Sequence, residues 1–122
     1  MMLLNDFYSI VQQVPSANSV KAKILINKSH RIFDGHFPGV PIVPGVCMMQ
    51  MVVEMVEVST GKHVSLIAAD TMKFLAVINP ERNREIDVAI NYTEDDGKFL
   101  ISANLFEGPV VFFKLKATLK IK

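Results

Sequence analysis

The sequence predicts an α+β domain in which an antiparallel sheet of about five strands wraps one central apolar helix, with a short helix ahead of it at the N-terminus. Three observations lead there. Residues Gly45 to Ser59, GVCMMQMVVEMVEVS, are apolar on nearly every side, the mark of a helix buried all round. From Val64 to the end, consecutive segments alternate apolar and polar residues, which is the period of strands with one face in a core. A chain of 122 residues, 50% of them apolar, fills one sizeable core and not two, so residues 1–122 read as a single domain.

Taken in order, Leu3, Leu4, Phe7, Ile10, Val11 and Val14 stand at helical spacing and Pro15 stops them, which predicts a short amphipathic helix. Val20, Ala22, Ile24 and Ile26 alternate with Lys21 and Lys23 as a half-buried strand would. Asn27 to Gly45 has no period. Gly35, Gly39 and Gly45 mixed with Pro38, Pro41 and Pro44 make it a long, stiffened loop, because each proline fixes φ and biases its predecessor toward extended backbone. Helix resumes near Pro44, a residue tolerated in a first turn, and stops at Thr60-Gly61. Val64 to Ile78 is rich in β-branched residues and closed by Asn79-Pro80; Ile86 to Tyr92 alternates. Asp96-Gly97 and Gly108-Pro109 then separate two more alternating segments, Phe99 to Leu105 and Val111 to Ile121, as hairpin turns do.

Composition narrows the classes of function, and demotes nucleic-acid binding without excluding it. A formal charge of +1 leaves no basic footprint for nucleic acid, and no apolar run reaches the ~18 residues of a membrane span, since Gln50, Glu54 and Glu57 interrupt the longest. One cysteine, Cys47, makes no disulfide framework; with no signal segment at the N-terminus this favours a reducing, cytoplasmic location. Phosphate-loop, dinucleotide and nucleophile-elbow motifs are missing, and His30, His36 and His63 do not stand at metal-ligand spacings, so neither a metal nor a cofactor is expected. The apolar content is high for so short a chain, which predicts a subunit interface. On the helix, Gln50, Glu54 and Glu57 share a narrow arc with Cys47 one turn earlier, either a solvated edge or part of a site. Cys47 reads as small apolar packing, the methionines as adaptable core, and the alternating Lys114, Lys116, Lys120 and Lys122 as a solvated strand face first and a docking patch for an acidic protein second.

The loop FDGHFPGVPIVPGV, Phe33 to Val46, carries more than stiffness. Its G-H-F-P-G-x-P-x-x-P-G-V pattern resembles the signature of the (3R)-3-hydroxyacyl-acyl-carrier-protein dehydratases, with His36, Phe37, Pro38, Gly39, Pro41, Pro44, Gly45 and Val46 in register. A looser likeness covers ADTMKFLAVINPER, Ala69 to Arg82, and together they span roughly residues 30–120. Ahead of the motif the chain departs from that family, whose members carry a longer segment with an extra strand. The resemblance implies the hotdog fold, a homodimer or oligomer of dimers with sites shared between subunits, and an acyl thioester on an acyl carrier protein as substrate. It implies His36 as a catalytic residue and Phe37, Pro38, Gly39, Gly45 and Val46 as substrate-binding. The family's acid stands fourteen positions after the histidine, where this chain has Gln50; the family's usual glutamine, one turn on, is here Glu54.

That exchange bears directly on the chemistry. Dehydrating a 3-hydroxyacyl thioester takes a base for the α-proton, a donor for the departing hydroxyl and a dipole for charge on the thioester oxygen. Imidazole, with a pKa near ~6.5, suits the first task, and helix N-terminal N–H groups around Gly45 and Val46 suit the third. Gln50 donates a hydrogen bond but delivers no proton, so the family's usual acid is missing here unless Glu54, or a water held by both, takes its place. The sequence therefore predicts a dehydratase-like protein of acyl-chain biosynthesis, and leaves open a non-catalytic acyl-binding or heterodimer partner subunit and a hotdog thioesterase.

Overall fold

The computed structural model of the chain describes residues 2–34 and 41–122. His36, Phe37, Pro38 and Gly39, four of the sequence-predicted site residues, lie outside the described residues.

Strands β1 (Tyr8–Pro15) and β2 (Ser19–Ile26) come first, then a short 3-10 turn (Arg31–Asp34) and helix α1 (Gly45–Thr60). Strands β3 (Val64–Phe74), β4 (Glu85–Asp95), β5 (Lys98–Glu107) and β6 (Val110–Ile121) complete the chain. The six strands form one sheet in the order β1-β2-β4-β5-β6-β3 with antiparallel neighbours throughout. Alternation puts Ile24, Ile86, Val88, Ile90, Leu105, Phe113, Leu115 and Leu119 on one face, and these meet Met51, Val52, Met55 and Val56 of α1, all buried. The helix thus fills the concave side of a curled sheet, as its all-round apolar sequence requires. Gly61 ends it in the left-handed region (φ 71°), its N–H closing on the Glu57 carbonyl at 2.9 Å.

The N-terminal helix expected from spacing is absent, and a turn and an edge strand replace it. Leu3 and Phe7 face the core because a tight turn, with Asn5 at φ 67° and the Phe7 N–H on the Leu3 carbonyl at 2.7 Å, brings them together. From Tyr8 onward the chain pairs with β2, and Val11 and Val14 stay exposed. The physical reason is competition: a short isolated helix is marginal in water, while Tyr, Ile and Val suit a pleated surface and β2 offers a free row of backbone partners. This strand is the addition to the five or so that the alternation predicted. Strand β3 stops at Phe74, short of the expected Ile78, because the N–H groups of Leu75 and Ala76 both turn onto the Phe112 carbonyl (2.9 and 3.3 Å).

Candidate active site

The start of α1 is where the sequence placed a dipole, and its local geometry follows from two residues. Pro44 precedes the first turn in extended conformation and offers no side chain to cap it. Gly45 permits close approach: a Cβ there would lie 2.7 Å from the ring of Phe74, which itself stacks on Phe113 with ring centroids 5.0 Å apart. The N–H groups of Gly45 and Val46, both in the first turn, have no carbonyl within their own helix to bond. Beside them opens an apolar cavity of about 510 Å³, lined by Val43, Gly45, Met48, Phe74, Leu75 and Val77. Its rim is exposed, with Phe74 at 52%, Leu75 at 53% and Val77 at 62%. Unpaired amides at the mouth of an apolar cavity suit a ligand with a polar oxygen at the head of a hydrocarbon chain.

A polar seam runs along another face of α1. Glu54 is 1% exposed, the one charged side chain buried among the described residues. Its Oε2 accepts from the Leu3 N–H (2.7 Å) and Gln50 Nε2 (2.8 Å), and its Oε1 from the Leu4 N–H (2.9 Å) and the Tyr8 hydroxyl (3.2 Å). A carboxylate has about four acceptor positions, and here four donors take them, which offsets the cost of burying it. Tyr8 stays a donor, since burial first, and then the Glu54 carboxylate beside it, hold its phenol well above the usual tyrosine range. Gln50 is half-buried, and because Glu54 only accepts, the Gln50 amide must turn its Nε2 toward the carboxylate and its Oε1 away.

The remaining candidates fall into place around this seam. Glu57 accepts from the Val64 N–H at 3.0 Å, tying the start of β3 to the helix, and lies 3.5 Å from Nδ1 of His63, whose side chain is 87% exposed. The polar stripe is therefore an internal fastening along much of its length, not a solvated edge. Burial pushes the Cys47 thiol up, away from the reactive thiolate. Nδ1 of His30 accepts from the Ile32 N–H (3.0 Å), leaving Nε2 to donate to Asp6 (3.0 Å), and its ring meets Phe7 edge-on. Sequence reasoning missed Tyr8 and the cavity wall of Phe74, Leu75 and Val77: the misread N-terminal helix hid the first, and the second lay inside the stretch Ala69 to Arg82, noted for its likeness to the family and not as a cavity wall. Among the described residues, no group of His, Cys, Asp and Glu is placed to hold a metal ion, and no helix is long and apolar enough to cross a membrane.

A six-stranded antiparallel sheet curled around one buried helix, with open amides and an apolar cavity at that helix's start, defines a hotdog-fold protein. Residues 12–108 match the model of the ApeI-like family, described as ApeI dehydratase, and the chain belongs to that family. It is similar to the 3-hydroxyacyl-[acyl-carrier-protein] dehydratase FabZ of Chloroflexus aggregans, 30% identical over 88 residues that make up 66% of this chain and 60% of that one. The FabZ of Jannaschia sp. is 30% identical over 95 residues, 70% of this chain and 57% of its own. The chain thus spans little more than half the length of these curated relatives. In fold it is similar to the solved dehydratase heterocomplex ApeI:P from Xenorhabdus doucetiae, with a TM-score of 0.73 and 18% identity, covering 91% of this chain and 96% of that one.

Proposed function

We propose that this chain is a dehydratase-like hotdog protein acting on 3-hydroxyacyl thioesters linked to an acyl carrier protein, in fatty acid or related acyl-chain biosynthesis. The observation that carries the reading is the open first-turn N–H of Gly45 in the wall of the apolar cavity of about 510 Å³, with that of Val46 next to it in the chain. In this reading the acyl chain enters the cavity and those amides hold the thioester oxygen as it gains negative charge. His36 takes the α-proton; the C–H electrons form the new double bond as the bond to the 3-hydroxyl breaks; the imidazolium then returns the proton to the departing oxygen, and water leaves. Gln50 hydrogen-bonds that oxygen without transferring a proton, and Glu54 holds the Gln50 amide in place. Phe37, Pro38 and Gly39 bind the substrate, as the resemblance of the motif implies.

The site is completed by a dimer. β3 is an edge strand whose exposed Ile67, Met72 and Phe74, with Leu75 and Val77 beyond it, form an apolar border beside the cavity. Pairing this edge with a second subunit would close the border and the cavity together. A homodimer is the simplest form. A heterodimer is the second reading, favoured by Gln50 at the family's acid position and by the full engagement of Glu54: there the partner subunit supplies the acid, as the word heterocomplex in the name of the Xenorhabdus structure suggests. The thioesterase reading needs a carboxylate open to water, and Glu54 is closed.

The test is the purified chain incubated with a 3-hydroxyacyl and a plain acyl thioester side by side. Enoyl product from the first and no free thiol from the second is expected, with His36→Ala lowering the rate by about 10²–10⁴. Free thiol without enoyl product would overturn the dehydratase reading. Gln50→Glu separates the two subunit readings: it restores a transferable proton beside the Glu54 carboxylate, so enoyl formation rises in a chain that is inactive for want of an acid.

A further inference from the structure

The convex face of the sheet, turned away from α1, is built in two halves with opposite charge logic. On the β2–β4 half, Lys23 stands directly across from Asp87 and bonds it at 2.9 Å. On the β5–β6–β3 half, lysine stands across from lysine: Lys73 opposite Lys114, with Lys116 two residues on, and Lys98 opposite Lys120, where Asp95 of β4 flanks Lys98 on its other side. All five are exposed, and none makes an ion pair among the described residues. Like charges directly opposed across a sheet are destabilising, and a single carboxylate at Lys73 or Lys114, whose cross-strand neighbours include none, would relieve that pair. Lys73, Lys114 and Lys116 border a groove of about 290 Å³ floored by Thr71, Ser102 and Asn104, which are short neutral hydrogen-bonding side chains. Unpaired cations around neutral donors form a surface that lacks its anion.

We propose that this half of the convex face docks an acidic protein segment, a helix carrying carboxylates on one side. Spacing fits: Lys114 and Lys116 are two residues apart on a strand, ~6.7 Å, and Lys73 lies across from Lys114 at ~5 Å, against ~5–6 Å between residues four apart on a helix. Chemistry separates this occupant from others. The groove lining has no arginine to fork a phosphate and no aromatic ring to stack a base, which disfavours nucleic acid. It is a recess and not an apolar ridge, which disfavours insertion into lipid. The partner is not what fills the apolar cavity, since the groove opens on the other side of the sheet from α1. This surface serves assembly with another protein and is separate from substrate entry.

The experiment uses the full chain and a fluorescent helical peptide with glutamates at i, i+4 and i+7, beside the same peptide with glutamines. Anisotropy should show binding of the glutamate peptide alone, weakened by added salt. Lys114→Glu and Lys116→Glu should each weaken it about tenfold, while Lys21→Glu, exposed on the other half of the same face, leaves it unchanged. Lys114→Glu should also raise the melting temperature, because it turns an opposed pair into an attractive one; Lys116→Gln serves as a second variant that keeps the fold's charge nearly unaltered. Equal binding of the two peptides, or affinity untouched by Lys114→Glu and Lys116→Gln, would overturn the proposal. So would a lower melting temperature in Lys114→Glu, or tighter lysine-dependent binding of a single-stranded RNA or of phosphatidylglycerol vesicles than of the glutamate peptide.

Discussion

Glu54 and Glu57 stand one turn apart on the same helix, and both spend their carboxylates on backbone N–H groups that sequence position puts far away. Glu54 reaches back to Leu3 and Leu4 and is sealed beneath them; Glu57 reaches forward to Val64 at the lip of the sheet and remains partly open to water. The two do similar geometry in different dielectrics. What the difference teaches is that the number of donors tracks burial: four for the sealed carboxylate, against one backbone N–H and a solvent-exposed imidazole for the open one.

The largest test of that contrast is Glu54→Ala, which strands the Leu3 N–H and the Tyr8 hydroxyl in the interior; a loss of about 3–5 kcal/mol in urea unfolding is expected. Glu57→Ala should cost below about 1 kcal/mol by the same measurement, and near-equal losses would break the comparison. Between them lies Tyr8→Phe, expected to cost about 1 kcal/mol at neutral pH. Its sharper signature is alkaline. A phenol whose folded pKa is raised stabilises the native state in full below the unfolded value of 10.0, and that contribution fades as pH climbs past it. Wild type should therefore lose stability above about pH 10 with a steeper slope than Tyr8→Phe, read from melting temperatures across that range.

The same two carboxylates mark where the sequence was legible. Helix α1 and strands β4, β5 and β6 follow from periodicities that no competing pattern shares, and turns such as Asp96-Gly97 punctuate them. Leu3 and Phe7, by contrast, satisfy a helical spacing and a tight turn equally well, so β1 was hidden; only the free edge of β2 decides between them. The arc of Gln50, Glu54 and Glu57 was visible as an arc, but what covers a helix face is a property of the tertiary fold, and the cover is the very segment misread. Of the expected site residues, Gly45 lines the candidate cavity, while the rest of its wall comes from the end of β3 and the residues after it, whose alternation speaks of a strand and not of what its end encloses.

The fastening of Leu3 to Glu54 joins residues 51 positions apart, and this orders events during synthesis. As the chain leaves the ribosome, residues 3–26 emerge before α1 and are able to fold back on themselves as the β1–β2 ribbon. A two-stranded ribbon alone is marginal in water. It gains its floor only when α1 has been made, and its other neighbour only when β4, ending at Asp95, has followed. Residues 3–26 are thus made before the partners that lock them, and a ribosome stalled before Glu54 would hold that segment open to proteolysis that the finished protein protects.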